Sequence, residues 1–469
     1  MSGISLNFTS LFGQNNVAAQ MLSDMPLTTY ESLAIQPLAQ ELDTIQLQIQ
    51  SLQQQNSAWQ TLQSDAQAVL GDLQNLANGN TLNAMTATSS DPGVMNATAG
   101  SDAPPGTYLM TVVQLAQAEI VGAGSTTITN PDASLNLTQA TLTIGWGTSQ
   151  FSIAVTPSTT LNQIVTAINQ SGGPFVAQAV QVGSDYALEV FGTQTATSLT
   201  FGGSSTAWQA LGILNSSGQP NVVQAATSAE IQFQGNTVTS STDTFSSVLP
   251  NVNLQVQALG SVTITVGPDY GADAQAVQKF AQDWNQWVQD TYKLAFGTQP
   301  FTATAGSSVT VSLNSNQVIQ SPVPMMEVNQ VAAQLATFID HASGYSLGDL
   351  GVQFQNGSFT LSVNTATLES QLSSNLNGVQ QFFVTLASTV GQSLQDFAGS
   401  VNSTISQVLG QDNQQISQDQ QQVATLQTEE QQTMQSAQNQ YLAFLQALNQ
   451  MMAQQNVFQA LSSTLSSGG

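Results

Sequence analysis

Over residues 35–77 apolar side chains recur every three or four positions: Leu38, Leu42, Ile45, Ile49 and Leu52, then Trp59, Leu62, Ala66, Val69, Leu73 and Leu76. A seam of that period, held for about five heptads, predicts one long helix of coiled-coil type. Asn56 lies on the same stripe, glutamines between 46 and 55 make up most of the polar face, and Gly79 predicts the stop. Residues 1–36 carry Leu6, Phe8, Leu11 and Phe12 without a clear period, so this segment is expected to be poorly ordered alone.

From 81 to about 268 short apolar runs are punctuated by Gly, Pro, Asp and Asn, which predicts strands near 107–113, 141–146, 151–155, 175–182, 186–191, 230–233, 254–258 and 262–266. One helix interrupts them. Ser158 or Thr159 can cap it, Leu161, Ile164, Val165 and Ile168 form its apolar face, and Gly172-Gly173 stops it. Helical spacing returns after Pro268 with Val277, Phe280, Trp284, Trp287, Val288 and Thr291, again at 327–341, and from about Leu376 to Leu465, where Gly410 is the expected break. The last stretch carries Val423, Leu426, Tyr441, Phe444, Leu448, Phe458 and Leu461 on one stripe. A small hairpin is expected at 352–363, turning on Asn356-Gly357.

Both ends are thus helical and the middle is β-rich. This predicts an α+β multidomain chain whose terminal helices pair as a coiled-coil or helical-bundle leg, with β-rich head domains inserted between them. The expected divisions are a segment 1–36; a leg of 37–78 with 270–430, including a hairpin near 350–363; an inner β domain of 79–122 with 224–269; an outer β–α–β domain of 123–223; and a C-terminal helix and flexible tail, 431–469. The candidate pairing and assembly face is Leu38, Leu42, Ile45, Ile49 and Leu52 on one helix, with Val423, Leu426, Tyr441, Phe444, Leu448, Phe458 and Leu461 on the other.

Charge narrows the function classes. The chain has two Lys+Arg residues, Lys279 and Lys293, against 27 Asp+Glu and a single histidine, for a net charge of −25 with only 6% charged residues. Roughly a quarter is usual. So few cations argue against nucleic-acid binding, phosphate-bearing cofactors and attachment to anionic membranes. Cysteine is absent, which removes disulfides and thiolate metal sites. The N-terminus lacks a basic region and a long apolar stretch, and no window approaches 18 apolar residues; neither a Sec-type signal peptide nor a membrane span is expected.

No arrangement of catalytic residues stands out, and no metal or cofactor is expected. His341 is the sole imidazole and reads as a helix C-terminal residue. Glu429-Glu430 reads as a solvated face, and Asp269 and Asp273 as acids offsetting a helix dipole. The glycine pairs Gly122/Gly124 and Gly145/Gly147 read as turns. Trp146, Trp208, Trp284 and Trp287 read as core rather than as carbohydrate platforms.

Several stretches, in order, resemble one family. Residues 87–100 run Ala-Thr-Ser-Ser-Asp-Pro-Gly and lead to Gly106-Thr107-Tyr108, a strand ending in Gln114-Leu115-Ala116. The unit 142–201 is similar to a small β–α–β module of flagellar axial proteins. Residues 233–254, then 262–269 followed by Phe280 and Trp284-Asn285, and the Leu-Gly-Asp-Leu-Gly hairpin of 347–361 complete the series. This order resembles the flagellar filament cap (FliD, hook-associated) family. The resemblance implies a non-enzymatic cap at the distal tip of the bacterial flagellum. It implies a ring-like homo-oligomer of about four to six subunits, with flagellin and an export chaperone as further partners. It also implies passage through the flagellar type III channel without a cleaved signal. Another axial protein, such as a hook–filament junction protein or flagellin, and a surface adhesin using the β domains remain alternatives. The family normally carries ordinary numbers of Lys and Arg. With two lysines, one histidine and the amino terminus, this chain reaches only about +4 near pH 2, which predicts an acidic exterior, with an alkaline one as the competitor.

Overall fold

The computed structural model describes residues 26–79, 81–296, 318–319, 321–355, 358–399 and 401–466. In chain order the elements are α1 (Leu27–Ala77); β1 (Met85–Ser89), β2 (Met95–Ala99), β3 (Gly106–Gln114), β4 (Ala118–Gly122), β5 (Ala140–Trp146) and β6 (Ser149–Val155); and α2 (Leu161–Gln170). There follow β7 (Phe175–Val182), β8 (Asp185–Thr195), β9 (Leu199–Gly203) and α3 (Ser205–Ala210). Next come β10 (Val222–Gln224), β11 (Ala229–Phe233), β12 (Asn236–Ser240), β13 (Thr244–Leu249), β14 (Val252–Val256) and β15 (Gly260–Pro268). The chain ends with α4 (Tyr270–Phe296), α5 (Val323–Thr337), β16 (Val352–Phe354), β17 (Leu361–Val363), α6 (Thr365–Ala398) and α7 (Thr404–Ser466). Two compact units result: a helical one from 1–78 and 276–469, and a β-rich one from 79–275 inserted into it.

The β-rich unit holds two cores. In one, the sheet β1-β15-β3-β11-β12 shares its interior with the sheet β13-β14-β2. Met110, Ile231, Val262 and Ile264 of the first meet Met95, Phe245 and Leu254 of the second. The period of two explains the facing: along β14 buried and exposed residues alternate strictly. Turn chemistry sets the registers. Gln234 and Gly235 both take positive φ, as a two-residue hairpin between β11 and β12 requires.

In the other core α2 and α3 pack with the sheets β6-β5-β9 and β10-β4-β8-β7. The strands on either side of α2 were expected to form one compact unit. They share a core but lie in separate sheets, because β9 claims β5, and β4 claims β8. The cap of α2 is Thr160, one residue beyond the expected pair: its hydroxyl accepts the Gln163 amide, and the Gln163 side chain accepts the Thr160 amide. Thr159 instead closes the preceding turn by accepting the Thr156 N–H.

Helix boundaries differ from expectation where a cap or a proline was misread. α1 begins at Leu27, inside the segment expected to be disordered, and runs through Pro37. Pro37 and Leu33, whose carbonyl loses its helical partner, both lie on the exposed side. α6 begins at Thr365, capped by Asn364, and kinks at Asn375, whose side chain accepts the Gly378 N–H and restarts the helix near the expected Leu376. The break between α6 and α7 falls at 399–403, not at Gly410. Asn402 turns the chain with positive φ and Ser403 accepts the Ser406 N–H as the new cap. Gly410 is an exposed position inside α7. α5 starts at Val323, with Pro324 in its first turn, and stops at Thr337. His341 therefore sits in the exposed turn beyond the helix, not at its end. The expected Asn356-Gly357 turn lies outside the described residues, while the strands on either side pair as an antiparallel hairpin.

Trp208 shows what a buried tryptophan contributes. It is fully enclosed, its ring meets Phe201 edge-on at 5.2 Å, and its Nε1–H donates to the Gly202 carbonyl at 2.8 Å. Trp208→Ala is expected to destabilise the β-rich unit by about 3–5 kcal/mol, measured by urea unfolding followed on strand signal.

Candidate assembly surface

α1 and α7 pack against each other as an antiparallel pair. The Tyr30 ring lies 5.9 Å from that of Tyr441, tilted by 41°, and its hydroxyl donates to Gln440 at 3.3 Å. Gln422 reaches Glu41 at 3.4 Å, and the Asn56 amide donates to Asn413 at 3.0 Å. As numbers rise along α1 they fall along α7, so these contacts fix one register.

The expected face falls largely on this pair. Ile45, Leu426 and Phe444 are buried. Leu38, Leu42, Ile49, Leu52, Val423, Tyr441 and Leu448 are half-buried. Leu461 is 57% exposed, and the side chain of Phe458 lies outside the described residues. Burial is partial because a two-helix seam covers only one stripe of each helix. Farther along, α1 packs on α6, with Gln67 at the Ala398 carbonyl and Leu70 beside Gly391, and Trp59, Leu62, Ala66, Val69 and Leu73 close up almost completely. Tyr30 was missed because it precedes Pro37; its spacing of fifteen residues to Ile45 keeps it on the same side of the helix.

Polar contacts in the helical unit run through amides. Gln67 donates to the Ala398 carbonyl at 2.8 Å, at the open C-terminal end of α6. Asn285 of α4 imitates a strand: its Nδ2 donates to the Leu361 carbonyl at 2.8 Å and its Oδ1 accepts the Leu361 N–H at 2.6 Å. Beside it the buried Trp284 donates to the Phe359 carbonyl at 2.6 Å. The Trp-Asn pair and the Leu-Gly-Asp-Leu-Gly hairpin, separate motifs in sequence, are thus one docking contact.

Among the described residues both ion pairs belong to Lys279, which bridges Asp72 at 2.9 Å and Asp283 at 2.6 Å. Burial pushes the Asp72 carboxyl upward against the pull of Lys279. In the β-rich unit Asp269 caps α4 by accepting the Ala272 N–H, as its position before a helix suggested, and Asp273 accepts the Ala84 N–H at 3.0 Å. Burial, and after it the neighbouring Asp269, raise Asp273 to about 6 despite that N–H.

Among the described residues no group of three or more His, Asp or Glu side chains is placed to hold a metal ion. The recess beside the β16–β17 hairpin, lined by Gly348, Gln353, Ser362 and Asn364, has no ionisable side chain in its wall. No described helix is long and apolar enough to cross a membrane. Trp208, Trp284 and Trp287 are fully buried and Trp146 is half-buried.

Two family models match in sequence order. The N-terminal model of flagellar hook-associated protein 2 matches residues 28–119, and its C-terminal model matches 226–465, just over half of the chain. The chain belongs to the flagellar hook-associated protein 2 family. The crystal structure of the D1-D2-D3 domains of the flagellar cap protein FliD from Escherichia coli is similar to it with a TM-score of 0.55 and 20% identity, covering 76% of this chain and 99% of that one. The D2-D3 domains of the Escherichia coli protein are 26% identical over 40% of this chain and 100% of theirs, with a TM-score of 0.36. FliD (HAP2) from Pseudomonas aeruginosa PAO1 is 22% identical over 41% of this chain and 93% of that one, also with a TM-score of 0.36. No curated protein sequence matches the chain. Both family models take in parts of the terminal helices, α1 by the first and α7 by the second.

Asn56 is the one buried amide on the α1 stripe facing α7. A polar residue at such a seam specifies register at a cost in stability. Asn56→Leu is expected to raise the melting temperature of the helical unit, by about 1 kcal/mol of added stability, while cross-links engineered between α1 and α7 report more than one register.

Proposed function

We propose that this chain is the cap of a bacterial flagellar filament, a non-enzymatic protein that assembles with copies of itself at the distal tip. The observation that carries this reading is the ordered match of both hook-associated protein 2 models, over 28–119 and 226–465. In this reading the chain leaves the cell through the flagellar type III channel, accompanied before export by a chaperone. It then forms a ring of about four to six subunits and promotes insertion and folding of arriving flagellin. The β regions 79–122 with 224–269 and 123–223 act as inner and outer domains of that ring.

The assembly face is the α1–α7 pair: Leu38, Leu42, Ile45, Ile49 and Leu52 with Val423, Leu426, Tyr441, Phe444, Leu448, Phe458 and Leu461. Half-buried apolar side chains along the seam, and the exposed Leu442, Met451, Met452 and Val457 on α7, supply apolar area for neighbouring subunits or flagellin. The glutamine-rich flanks keep the pair soluble without charge.

Deleting the gene should release flagellin monomers into the medium and stop filament growth, and the wild-type copy should restore both. Ile45→Asp with Leu426→Asp buries two unpaired carboxylates in the seam. It should abolish ring particles in electron micrographs and fail to restore growth, while the β-rich unit keeps its strand signal. Normal filaments from the deletion strain would sink the capping role.

A further inference from the structure

The cation shortage has a geometric consequence inside the helical unit. α1 and α4 run antiparallel where Asp72 faces Asp283, with Lys279 between them. Seven residues along each helix the pattern repeats, as Asp65 faces Asp290, but no cation stands there. One carboxyl oxygen of Asp65 is fully buried and no N–H reaches it. Asp290 spends its other contact on the Gln286 amide at 2.7 Å. Two carboxylates offer only acceptors, so a hydrogen bond between them needs a proton on one.

A second buried acid lies on α5. Glu327 is half-buried there, and the charge that acts on it is that of the exposed Asp396 of α6, which accepts a hydrogen bond from Gln392 at 2.7 Å. The charges acting on Asp65 come from Asp290 and Asp283 of α4, and the charge acting on Glu327 comes from Asp396. Among the described residues α6 and α7, also packed on α1, bring no cation to either place. Lys279 is held by Asp72 and Asp283, and the exposed Lys293 forms no ion pair with a described carboxylate.

We propose that the helical unit is locked by a proton: Asp65 and Asp290 close the contact between α1 and α4 only while one of the two carboxyls is protonated, and the half-buried Glu327 adds to the same preference for acid. Burial first and the charge of the other carboxylate second raise Asp65 to about 6 and Glu327 to about 7. Below about pH 4 the folded and unfolded chains both hold these protons, and the packing is fully available. As pH rises the unfolded chain releases them first, and stability falls until pH passes the folded values near 6 and 7. The unit is therefore tightest in acid and loosens through neutrality, which gives the acidic exterior expected from composition a location in the structure. Under the capping reading, on which this one consequence rests, the chain is least stable in the near-neutral cell, where it must stay unfolded for export.

The test is thermal unfolding of the full purified chain, followed on helical signal at pH 4.5 and 7.5 at equal ionic strength. The wild-type Tm should be higher at pH 4.5 by about 5 °C or more. Asp65→Asn with Glu327→Gln should remove roughly half or more of that difference, chiefly by raising the Tm at pH 7.5. Asp43→Asn with Glu429→Gln makes the same change in net charge at exposed positions and should leave the difference intact. A wild-type Tm equal or higher at pH 7.5 overturns the proposal, as does an unchanged difference in the first variant or an equal loss in the second. Should the first variant not fold, carboxyl-carbon NMR of the wild-type chain decides. Carboxyls titrating between about pH 5.5 and 7.5 support the lock, and titration of every carboxyl below about pH 5 overturns it. Capping activity enters none of these readouts, so this inference and the capping reading fail separately.

Discussion

α1 cannot bury its apolar side by itself. It is 51 residues long with a stripe on one side, and an isolated helix of that kind has nothing to pack on. Its partners α6 and α7 begin nearly three hundred residues later or more. The chain must therefore return on itself, and everything between becomes an insertion. That single requirement makes a protein whose two ends form one unit and whose middle forms another.

A chain with two lysines cannot organise such packing with ion pairs. Amides take their place: Asn56 with Asn413 across the α1–α7 seam, Gln67 on the end of α6, Asn285 on the β17 backbone, and Gln334 with Ser393 between α5 and α6 at 3.1 Å. Amides donate and accept without a charge to desolvate, so they serve equally at any pH. Carboxyls that fall on helix contacts are the exception, because their comfort in a low-dielectric site depends on a proton. The same inventory that leaves so few salt bridges thus makes the remaining acidic contacts sensitive to the medium. Family membership and this charge pattern are independent traits, one carried by the order of motifs and the other by what clothes them.

Much of the architecture could be read from particular residues. The three-and-four spacing from Leu38 to Leu76 gave α1 because a helix is built from local bonds and its buried side shows in its own sequence. β7 was readable to the residue, since a run of alternating and apolar positions ended at Gly172-Gly173 on one side and Gly183 on the other. β1, β2, β4, β9, β10, β12 and β13 were not read. Their residues are short, polar or small, and they are strands because neighbours distant in sequence offer them edges. The candidate assembly face was visible as two stripes; Tyr30, hidden behind Pro37, was not.

By itself the sequence determined the long helical segments, though not α3 or the first turns of α1, which stretches carry apolar stripes, and how few cations there are to distribute. These are properties of single residues and their near neighbours. Tertiary structure alone decided that α1 and α7 run antiparallel with Asn56 against Asn413. It decided that Trp284-Asn285 receives the hairpin, and that Asp65 meets Asp290 while Lys279 serves Asp72 and Asp283. Apart from Lys279 with Asp283, four residues apart on one helix, each of those pairs joins residues tens to hundreds of positions apart. No local spacing encodes which partner arrives; only the packing of whole helices, and the burial it imposes, selects one.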